Sequence, residues 1–524
     1  MNRRILLYIT LSVSLCSCED WISEKSPMST TLEDFFTDGS TALQSVNACY
    51  VPLMWEFNET YYPEWFIGDV VSDDALKGGQ NTLDMADVYD LENFKTIANN
   101  TLLLDYYRAQ YQGISRCNLA ISQISKMETD ETMDEGKKNR LIGEAKFLRA
   151  YYYFRLVRMF GDVPYVDEVI LSSDEWKKER VSKDKIYGYI VSDLDDAQKY
   201  LLKKSEYTAE DMGRATSGAA QAMLMKVYLY MHDYNKAKSW GDTFMQTQTG
   251  EYSLCTDYKD NFTLAGENGP ESVFEVQYME EGTSDYGEGN GFTRGTLTTV
   301  LTRSRSTAFG PAGWGFNKPT QNLYDEFEEG DPRRDVTILN PTDEQIITPS
   351  EEIYLGCRYV SNKHSYMENG VYVALSHDTR SPLNRKEIRY SDVLLMYAEA
   401  CCETNNLPLA KQYLNEVRRR ARDCAEGDKT NVLPDFPYGS YSENQDELRA
   451  AIRHERRVEL AMEGHRWFDL VRWGIAKEIM DAYKASETEE VQKEMGDFIE
   501  GVHELFPIPQ EEVNLGGLTQ NNGY

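Results

Sequence analysis

The hydrophobic positions of the first half of the chain recur with helical periodicity. From Lys137 to Phe160, apolar side chains recur every three or four residues in two stripes, which predicts a helix buried on two sides. The stripes comprise Leu141, Ala145, Leu148, Tyr152, Leu156 and Met159, and Phe147, Tyr151, Phe154 and Val157. Gly161 and Pro164 predict the helix end, because glycine permits the left-handed cap and proline cannot continue a helix.

Two further stretches predict helix pairs with the same internal spacing. Nine residues separate Tyr228 from Ala237, and nine separate Cys401 from Ala410. This spacing is close to that of tetratricopeptide repeats, in which a small residue on the second helix lets it approach the first. We therefore predict a mostly α fold built on a tetratricopeptide-like helical-repeat scaffold.

Residues 251–388 have a different pattern. They are rich in Gly, Thr, Ser, Asn and Tyr, with short strand-like runs at Ser272–Val276 and Glu352–Leu355. We interpret this stretch as a loop-rich ligand-binding insertion with short β elements, because loops held by a rigid frame often carry binding groups. Helical patterns resume near Tyr390 and end near Ala476.

The N-terminus has the pattern of a bacterial lipoprotein signal peptide. Two arginines precede an apolar run from Ile5 to Leu15, and the small Ser17 stands before Cys18. The run is too short to cross about 30 Å of hydrocarbon. We predict that residues 1–17 are removed and that Cys18 is lipidated. Cys16 is the rival lipidation position, and an ordinary cleaved secretory signal is the alternative.

Charge and cysteine usage limit the partners and the covalent framework. The chain carries 87 acidic and 55 basic side chains, a net charge of −32, so a polyanion such as nucleic acid is not an expected partner. The cysteines after Cys18 lack C-x-x-C spacing, and we predict small buried apolar residues rather than a disulfide framework. They are Cys49, Cys117, Cys255, Cys357, Cys401, Cys402 and Cys424.

The search for catalytic chemistry yields no nucleophile elbow, P-loop, zinc H-E-x-x-H motif or dinucleotide fingerprint. We predict no cofactor, no metal and no enzymatic activity. A surface-anchored glycoside hydrolase is the alternative, because its two carboxylates can lie far apart in the sequence.

Aromatic residues are the informative excess, with 35 tyrosines in the chain. Exposed rings stack on the apolar face of a sugar while neighbouring polar groups bind its hydroxyls, although each ring could instead pack beneath a loop. Aromatic residues in segments without helical period include Trp55, Tyr61, Tyr62, Trp65, Tyr286, Phe292, Trp314 and Phe316.

Four segments in order resemble the SusD/RagB family of surface nutrient-binding lipoproteins. They are EAKFLRAYYYFRLVRMFGDVP from Glu144, RYSDVLLMYAEA from Arg389, ERRVELAMEGHRWFDLVRWG from Glu455, and the tail with ELFPIP from Glu504 and QNNGY from Gln520. Weaker matches extend the resemblance over most of the mature chain. In the third segment, charges interleave with Trp467, Phe468 and Trp473, which suits a helix whose charges pair while its rings pack inward. We expect these segments to be scaffold.

The resemblance implies four tetratricopeptide-like helix pairs carrying a loop-rich capping region. It also implies attachment to the outer face of the outer membrane and a partner, a SusC-like TonB-dependent β-barrel transporter. Glu19 and Asp20 directly after Cys18 resemble a surface-export signal. The implied function is to capture a glycan and deliver it to the transporter. Peptide uptake of the RagB type is a further alternative.

The resemblance carries over to a ligand site by region only. From the N-terminal side we predict ligand contacts by Trp65, Asp73 and Asp74, and from the insertion by Tyr286, Trp314 and Arg380. Arg294, Arg303 and Arg305 form a basic run, interpreted as solvated loop charge with an acidic-sugar contact as the alternative. The predicted divisions are signal peptide 1–17, tether 18–30, N-terminal scaffold 31–250, insertion 251–388, C-terminal helices 389–476 and capping tail 477–524.

Overall fold

The computed structural model describes residues 35–56, 63–172, 175–280, 294–348 and 352–524, which leaves the predicted signal peptide, Cys18 and the tether outside the described residues. The described ranges contain 18 α-helices. They are α1 Gly39–Tyr50, α2 Trp65–Gly68, α3 Ala86–Glu92, α4 Thr101–Lys126, α5 Glu135–Phe160, α6 Lys183–Tyr200, α7 Ser217–Tyr230, α8 Tyr234–Thr247, α9 Thr298–Thr302, α10 Gln321–Glu326, α11 Arg333–Thr337, α12 Tyr390–Glu403, α13 Leu407–Asp423, α14 Gln445–Leu460, α15 Arg466–Arg472, α16 Ala476–Ser486, α17 Glu489–Glu494 and α18 Gln510–Gly516.

Short antiparallel strand pairs accompany these helices. β1 (Ala75–Gly78) pairs with β5 (Phe316–Pro319), and β4 (Ser272–Val276) pairs with β10 (Arg385–Arg389). The other pairs have two residues a strand: β2 (Val163–Pro164) with β3 (Arg180–Val181), β6 (Ile338–Leu339) with β7 (Val360–Ser361), and β8 (Met367–Glu368) with β9 (Val371–Tyr372). The first two pairs join segments from distant parts of the sequence.

The longest predicted helix is present as α5. The Asp134 side chain caps its start by accepting a hydrogen bond from the Lys137 backbone N–H, and Gly161, with φ of 69°, ends it. Both predicted apolar stripes are buried. Burial on two sides is explained by the neighbours, since α5 packs against α4 and against α6.

The helices stack in sequence order, which confirms the predicted helical-repeat fold class. α4 to α8 contact one another in succession, α8 contacts α12, and α12 contacts α13 and α14. Ala237 on α8 and Ala410 on α13, the small residues of the predicted pairs, are fully buried. Close approach is also required at Gly241 on α8, where an added Cβ would lie 2.2 Å from the ring of Tyr397 on α12.

Two of the local predictions turn out differently from the sequence pattern. Ser272–Val276 is a strand, as predicted, but Glu352–Leu355 is not, and Tyr354 forms only a single bridge with Cys357. The buried carboxylate of Glu352 accepts hydrogen bonds from Ser304 Oγ and the Ser306 backbone N–H, which fold this run around a polar contact. Its apolar alternation is therefore not used for strand pairing.

The helices do not end near Ala476 as predicted. α16, α17 and α18 follow, and α16 crosses the predicted boundary of the capping tail. Met480 and Tyr483 give α16 a buried side, and the Thr488 side chain caps α17. The remaining domain boundaries stay predictions.

Cysteine burial agrees with the sequence prediction. The seven cysteines from Cys49 onward are all free thiols, five buried and two partly buried. Among the described residues, no helix is both long enough and apolar enough to cross a membrane.

A buried network of ion pairs joins the insertion to the scaffold. Glu459 on α14 accepts hydrogen bonds from Arg333 (Nη1–Oε2, 3.0 Å), Arg389 (Nη1–Oε1, 2.9 Å) and Arg420. Glu271, at the start of β4, bridges Arg389 and Arg420. The charges of the ERRVEL segment therefore pair inside the fold, as expected of scaffold.

A candidate ligand-binding surface around Trp314

Trp65 lies inside the protein rather than on a ligand-binding surface. The side chain is 2% exposed, and its indole Nε1 donates a hydrogen bond to Thr298 Oγ1 at 3.2 Å. It borders an internal cavity of about 30 Å³, which also touches Glu64 and Lys363. Such a volume suits one or two waters and not a sugar ring. Trp65 therefore contacts α9 from the protein interior.

Asp73 and Asp74 are also buried, contrary to the predicted contact with a ligand. Asp73 pairs with Arg466 (Oδ1–Nε, 2.8 Å) and Arg457, and Asp74 pairs with Arg457 (Oδ1–Nε, 2.8 Å). Burial opposes ionisation of Asp73, but the two arginines outweigh it and hold its pKa at about 2. The backbone oxygens of both residues accept hydrogen bonds from Thr320, directly after β5. The N-terminal segment thus holds the insertion from within.

Trp314 is the predicted aromatic that reaches the surface, and a rigid frame holds its backbone. Among the described members of the aromatic group, Trp55, Trp65 and Phe316 are buried, whereas Trp314 is partly exposed. Its N–H donates to Val300 O at 2.9 Å, and Gly315 N–H donates to Arg303 O at 2.9 Å.

Both glycines beside Trp314 are required by its frame. An added Cβ at Gly313 would lie 2.2 Å from Arg303 Cβ, and Gly315 has φ of 71°, in the left-handed region. The chain can therefore pass this closely over the end of α9 only with glycine on both sides of the indole. The ring is presented from a fixed backbone.

Two arginines of the predicted basic run lie behind Trp314, and neither is a solvated loop charge. Arg303 is buried, stacks over the Tyr372 ring with its Cζ 5.0 Å from the centroid, and donates from Nη2 to Val373 O at 2.8 Å. Arg305 is partly buried and donates from Nη1 to Trp314 O at 3.2 Å. Within the described part of the chain, no carboxylate lies within ion-pair distance of Arg305, which leaves donors for a ligand.

The loop that follows β1 lies against the Trp314 segment. Gly79 N–H donates to Gly315 O at 2.9 Å. The loop is shaped from beneath by Lys77, whose buried ammonium donates to the backbone oxygens of Gly78, Asn81 and Asp84 at 2.7 to 3.0 Å. Burial lowers the pKa of Lys77 to about 8, against the opposing charges of Glu92 and Asp84. The outer side chains of the loop, among them Leu83, face solvent.

Arg380 lies at the other end of α9 from Trp314. Its Cα would be 2.5 Å from a Cβ added at Gly295, and the next residue, Ser381, accepts a hydrogen bond from Thr296 N–H. α9 has five residues, so it is about 7 Å long at 1.5 Å per residue. Trp314 and Arg380 thus flank one short helix, whereas Tyr286, in residues 281–293, lies outside the described residues.

Sequence reasoning missed the buried residues that join the N-terminal segment to the insertion. Glu56 is buried and accepts hydrogen bonds from Tyr278 Oη (2.7 Å), from the Leu297 N–H (3.0 Å) and from Arg385 Nη1 (2.9 Å). Nothing in the local sequence of Glu56 or Lys77 distinguishes them from solvated charges. Of the charged residues described around Trp314, only the basic run around Arg305 was distinguishable in the sequence.

The fold and this surface define a class of protein, a helical-repeat scaffold that carries a loop-rich surface. Residues 270–524 match the model of the SusD family, and residues 20–229 match a model described as "Starch-binding associating with outer membrane". The chain belongs to the SusD/RagB family.

Known relatives match along nearly the whole chain. SusD-like protein P2 of Formosa agariphila is 27% identical over 505 residues, covering 91% of this chain and 92% of the relative. A SusD-like protein of Bacteroides ovatus is 26% identical, covering 90% and 83%. Among solved structures, a laminarin binding SusD-like protein has a TM-score of 0.77 and 28% identity, covering 93% and 99%. Surface glycan-binding protein A from Bacteroides fluxus has the same TM-score and coverage, with 26% identity.

Proposed function

We propose that the protein is a non-enzymatic glycan-binding lipoprotein of the outer membrane that captures an oligosaccharide on the surface around Trp314. The observation that carries this proposal is the similarity to the laminarin binding SusD-like protein across 93% of the chain. The partly exposed indole supports it, because an aromatic ring can stack on a sugar while neighbouring donors bind the hydroxyls. Arg305 and Arg380 are the donors that we propose.

Retarded migration of the purified protein in native gels containing one polysaccharide class tests the binding. We expect retardation with at least one member of a panel that includes laminarin and starch. Trp314→Ala should weaken binding about fivefold or more, because stacking on an aromatic ring contributes about 1–3 kcal/mol for a nucleobase, and a sugar stacks on the ring through its apolar face. Trp176→Ala is the matched control, since Trp176 is also a partly exposed tryptophan but lies beside Lys178 and Leu518.

Incubation of the protein with the polysaccharide that retards it distinguishes binding from hydrolysis. We expect no new reducing ends when the protein is held with the polysaccharide that retards it. Appearance of reducing ends at a constant rate would contradict the non-enzymatic proposal and favour the glycoside hydrolase. Unchanged migration across the whole panel, together with binding of peptide mixtures, would favour uptake of the RagB type.

We propose further that Cys18 carries the lipid and that the captured glycan passes to a SusC-like TonB-dependent transporter. Family membership and the match to a model for outer-membrane starch binding support both steps. Cys18→Ala should move the protein from the membrane fraction to the soluble fraction with its glycan retardation intact, while uptake of that glycan by cells falls. Retention of the variant in the membrane would contradict the lipid anchor.

A further inference from the structure

A second concave surface, which we call the arginine groove, lies between α10, α14 and α16 and has a volume of about 790 Å³. Drug-sized ligand sites have about 300–1,000 Å³, so this groove is large enough for several residues of a bound chain. Its cationic side is formed by Arg449, Arg453, His454 and Arg457 of α14 and Arg466 of α15. Its apolar side is formed by Ile475, Ile479 and Ala482.

Most of the cations of the arginine groove are already neutralised. Arg457 and Arg466 pair with Asp73, and Arg449 pairs with Glu403. His454 lies 2.7 Å from Glu326. These pairs belong to the scaffold and explain why the groove is lined by charge.

Arg453 is the exception. Within the described ranges, no carboxylate lies within 4.0 Å of its guanidinium, and its buried Nε has no hydrogen-bond partner. The side chain is partly buried, so its charge is neither paired nor fully hydrated. A guanidinium in this state gains more from a carboxylate than one that water already surrounds.

Trp473 fixes the position of the unpaired guanidinium. Arg453 Cζ lies 4.9 Å from the indole centroid, and Arg472 Cζ lies 4.8 Å from it. The indole is itself anchored, because its Nε1 donates to Glu399 Oε1 at 3.0 Å. A donor held in advance loses little conformational entropy on binding.

We propose that the arginine groove is a docking site for an acidic, partly apolar segment of a partner protein. One carboxylate of that segment binds Arg453, and its apolar side chains pack on Ile475, Ile479 and Ala482. Charge complementarity supports this occupant at Arg453, since the other four cations that line the groove are paired within the fold, while Arg453 has no carboxylate within 4.0 Å among the described residues.

The groove is less suited to a sugar chain. The indole that would stack on a sugar is already in contact with two guanidinium groups, Arg453 and Arg472. The opposite side is aliphatic, which suits the side chains of a peptide better than hydroxyls, because buried hydroxyls need hydrogen-bond partners. This docking function is additional to the proposed capture of a glycan at Trp314.

A random nine-residue peptide library displayed on phage tests the proposal with the full protein as the target. We expect enriched sequences to contain Asp or Glu flanked by apolar residues. A synthetic peptide of the most enriched sequence, followed by fluorescence polarisation, should bind Arg453→Gln about tenfold more weakly, because a hydrogen bond to a charged group contributes about 1.5–3 kcal/mol. Ile479→Gln, which leaves every cation in place, should also weaken binding.

Lys477→Gln is the matched control, because it removes one positive charge from α16 outside the groove and should leave the peptide affinity unchanged. Thermal unfolding of each variant verifies that it folds. If Arg453→Gln does not fold, the peptide affinity of Ile479→Gln tests the proposal instead.

Libraries that show no enrichment of acidic residues overturn the proposal. Binding of oligogalacturonate that depends on Arg453, without peptide binding, overturns it in favour of an acidic glycan. Glycan retardation at Trp314 should be unchanged in both groove variants, which separates this test from that of the proposed function.

Discussion

The arginines that contact α14 and those behind Trp314 differ in what their guanidinium groups bind. In the scaffold, Arg333 and Arg389 bind several carboxylates each, in the buried network around Glu459. Behind Trp314, Arg303 and Arg305 bind backbone oxygens instead. Arginines of the first kind satisfy all their charge within the fold, and Arg305 of the second kind holds a loop while keeping donors for another molecule. Density of charge alone therefore does not identify a binding site.

The largest loss of stability is expected at Glu459, which binds three arginines inside the scaffold. Glu459→Gln leaves the guanidinium groups of Arg333, Arg389 and Arg420 without their shared anion. Breaking a buried ion pair costs about 3–5 kcal/mol, and we expect the free energy of unfolding in urea to fall by that amount. Glu489→Gln is the control, because this exposed residue should change stability by less than about 0.5 kcal/mol. A loss below about 1 kcal/mol for Glu459→Gln would show that the ion pairs of Glu459 contribute little to the stability of the scaffold.

A smaller effect, dependent on pH, is expected at the edge of the scaffold. Burial opposes the charge of His454, but hydrogen bonds to Glu326 and Glu328 outweigh it and raise the pKa of His454 to about 9. Because the folded pKa exceeds the unfolded value of about 6.5, this stability is fully present below pH 6.5 and is lost as pH rises through 9. The loss is on the order of 3 kcal/mol.

His454→Gln should remove this part of the decline when urea unfolding is measured at several pH values between 6 and 10. His503→Gln is the matched control, since burial lowers the pKa of His503 instead of raising it. Equal slopes for the protein and for His454→Gln would contradict the assigned ion pair.

The smallest effect on stability, and a selective one, is expected behind Trp314. Arg305→Gln removes one hydrogen bond to Trp314 O and the donors offered to a ligand. We expect the unfolding free energy to change by about 1 kcal/mol or less, while affinity for the retarding glycan falls several-fold. Arg419→Gln, at an exposed scaffold arginine paired with Asp435, is the control for loss of one charge. Equal glycan affinity for Arg305→Gln and Arg419→Gln would show that Arg305 belongs with the scaffold arginines.

The scaffold was predictable from the sequence because its signals are local. The spacing of neighbouring residues is enough to predict that the stripes of α5 and the small residues Ala237 and Ala410 are buried. The structure confirms that they are. The site was less predictable. Asp73 resembles an exposed acid, but its partners Arg457 and Arg466 are nearly 400 residues further along the chain. No periodicity reports such a distant pairing.

The choice of aromatic residues was limited by the same physics. Trp65 and Trp314 both lie in segments without helical period, yet one ring supports α9 from inside and the other reaches the surface. One difference is the pair of glycines around Trp314, which lets the backbone lie closely on the end of α9 while the indole stays partly exposed. That geometry depends on Arg303 and Val300, and composition does not reveal it.

The Lys77 ammonium makes the path of the loop after β1 insensitive to the side chains on the outer face of that loop. It holds the backbone oxygen of Gly78 at the end of β1 and those of Asn81 and Asp84 in the loop that follows, and it holds none of the loop's side chains. The path of the loop is thus independent of the identity of Gln80 and Leu83, whose side chains face outward. Substitutions at Gln80 and Leu83 should therefore reshape the outer surface of the loop while changing the free energy of unfolding by less than about 0.5 kcal/mol.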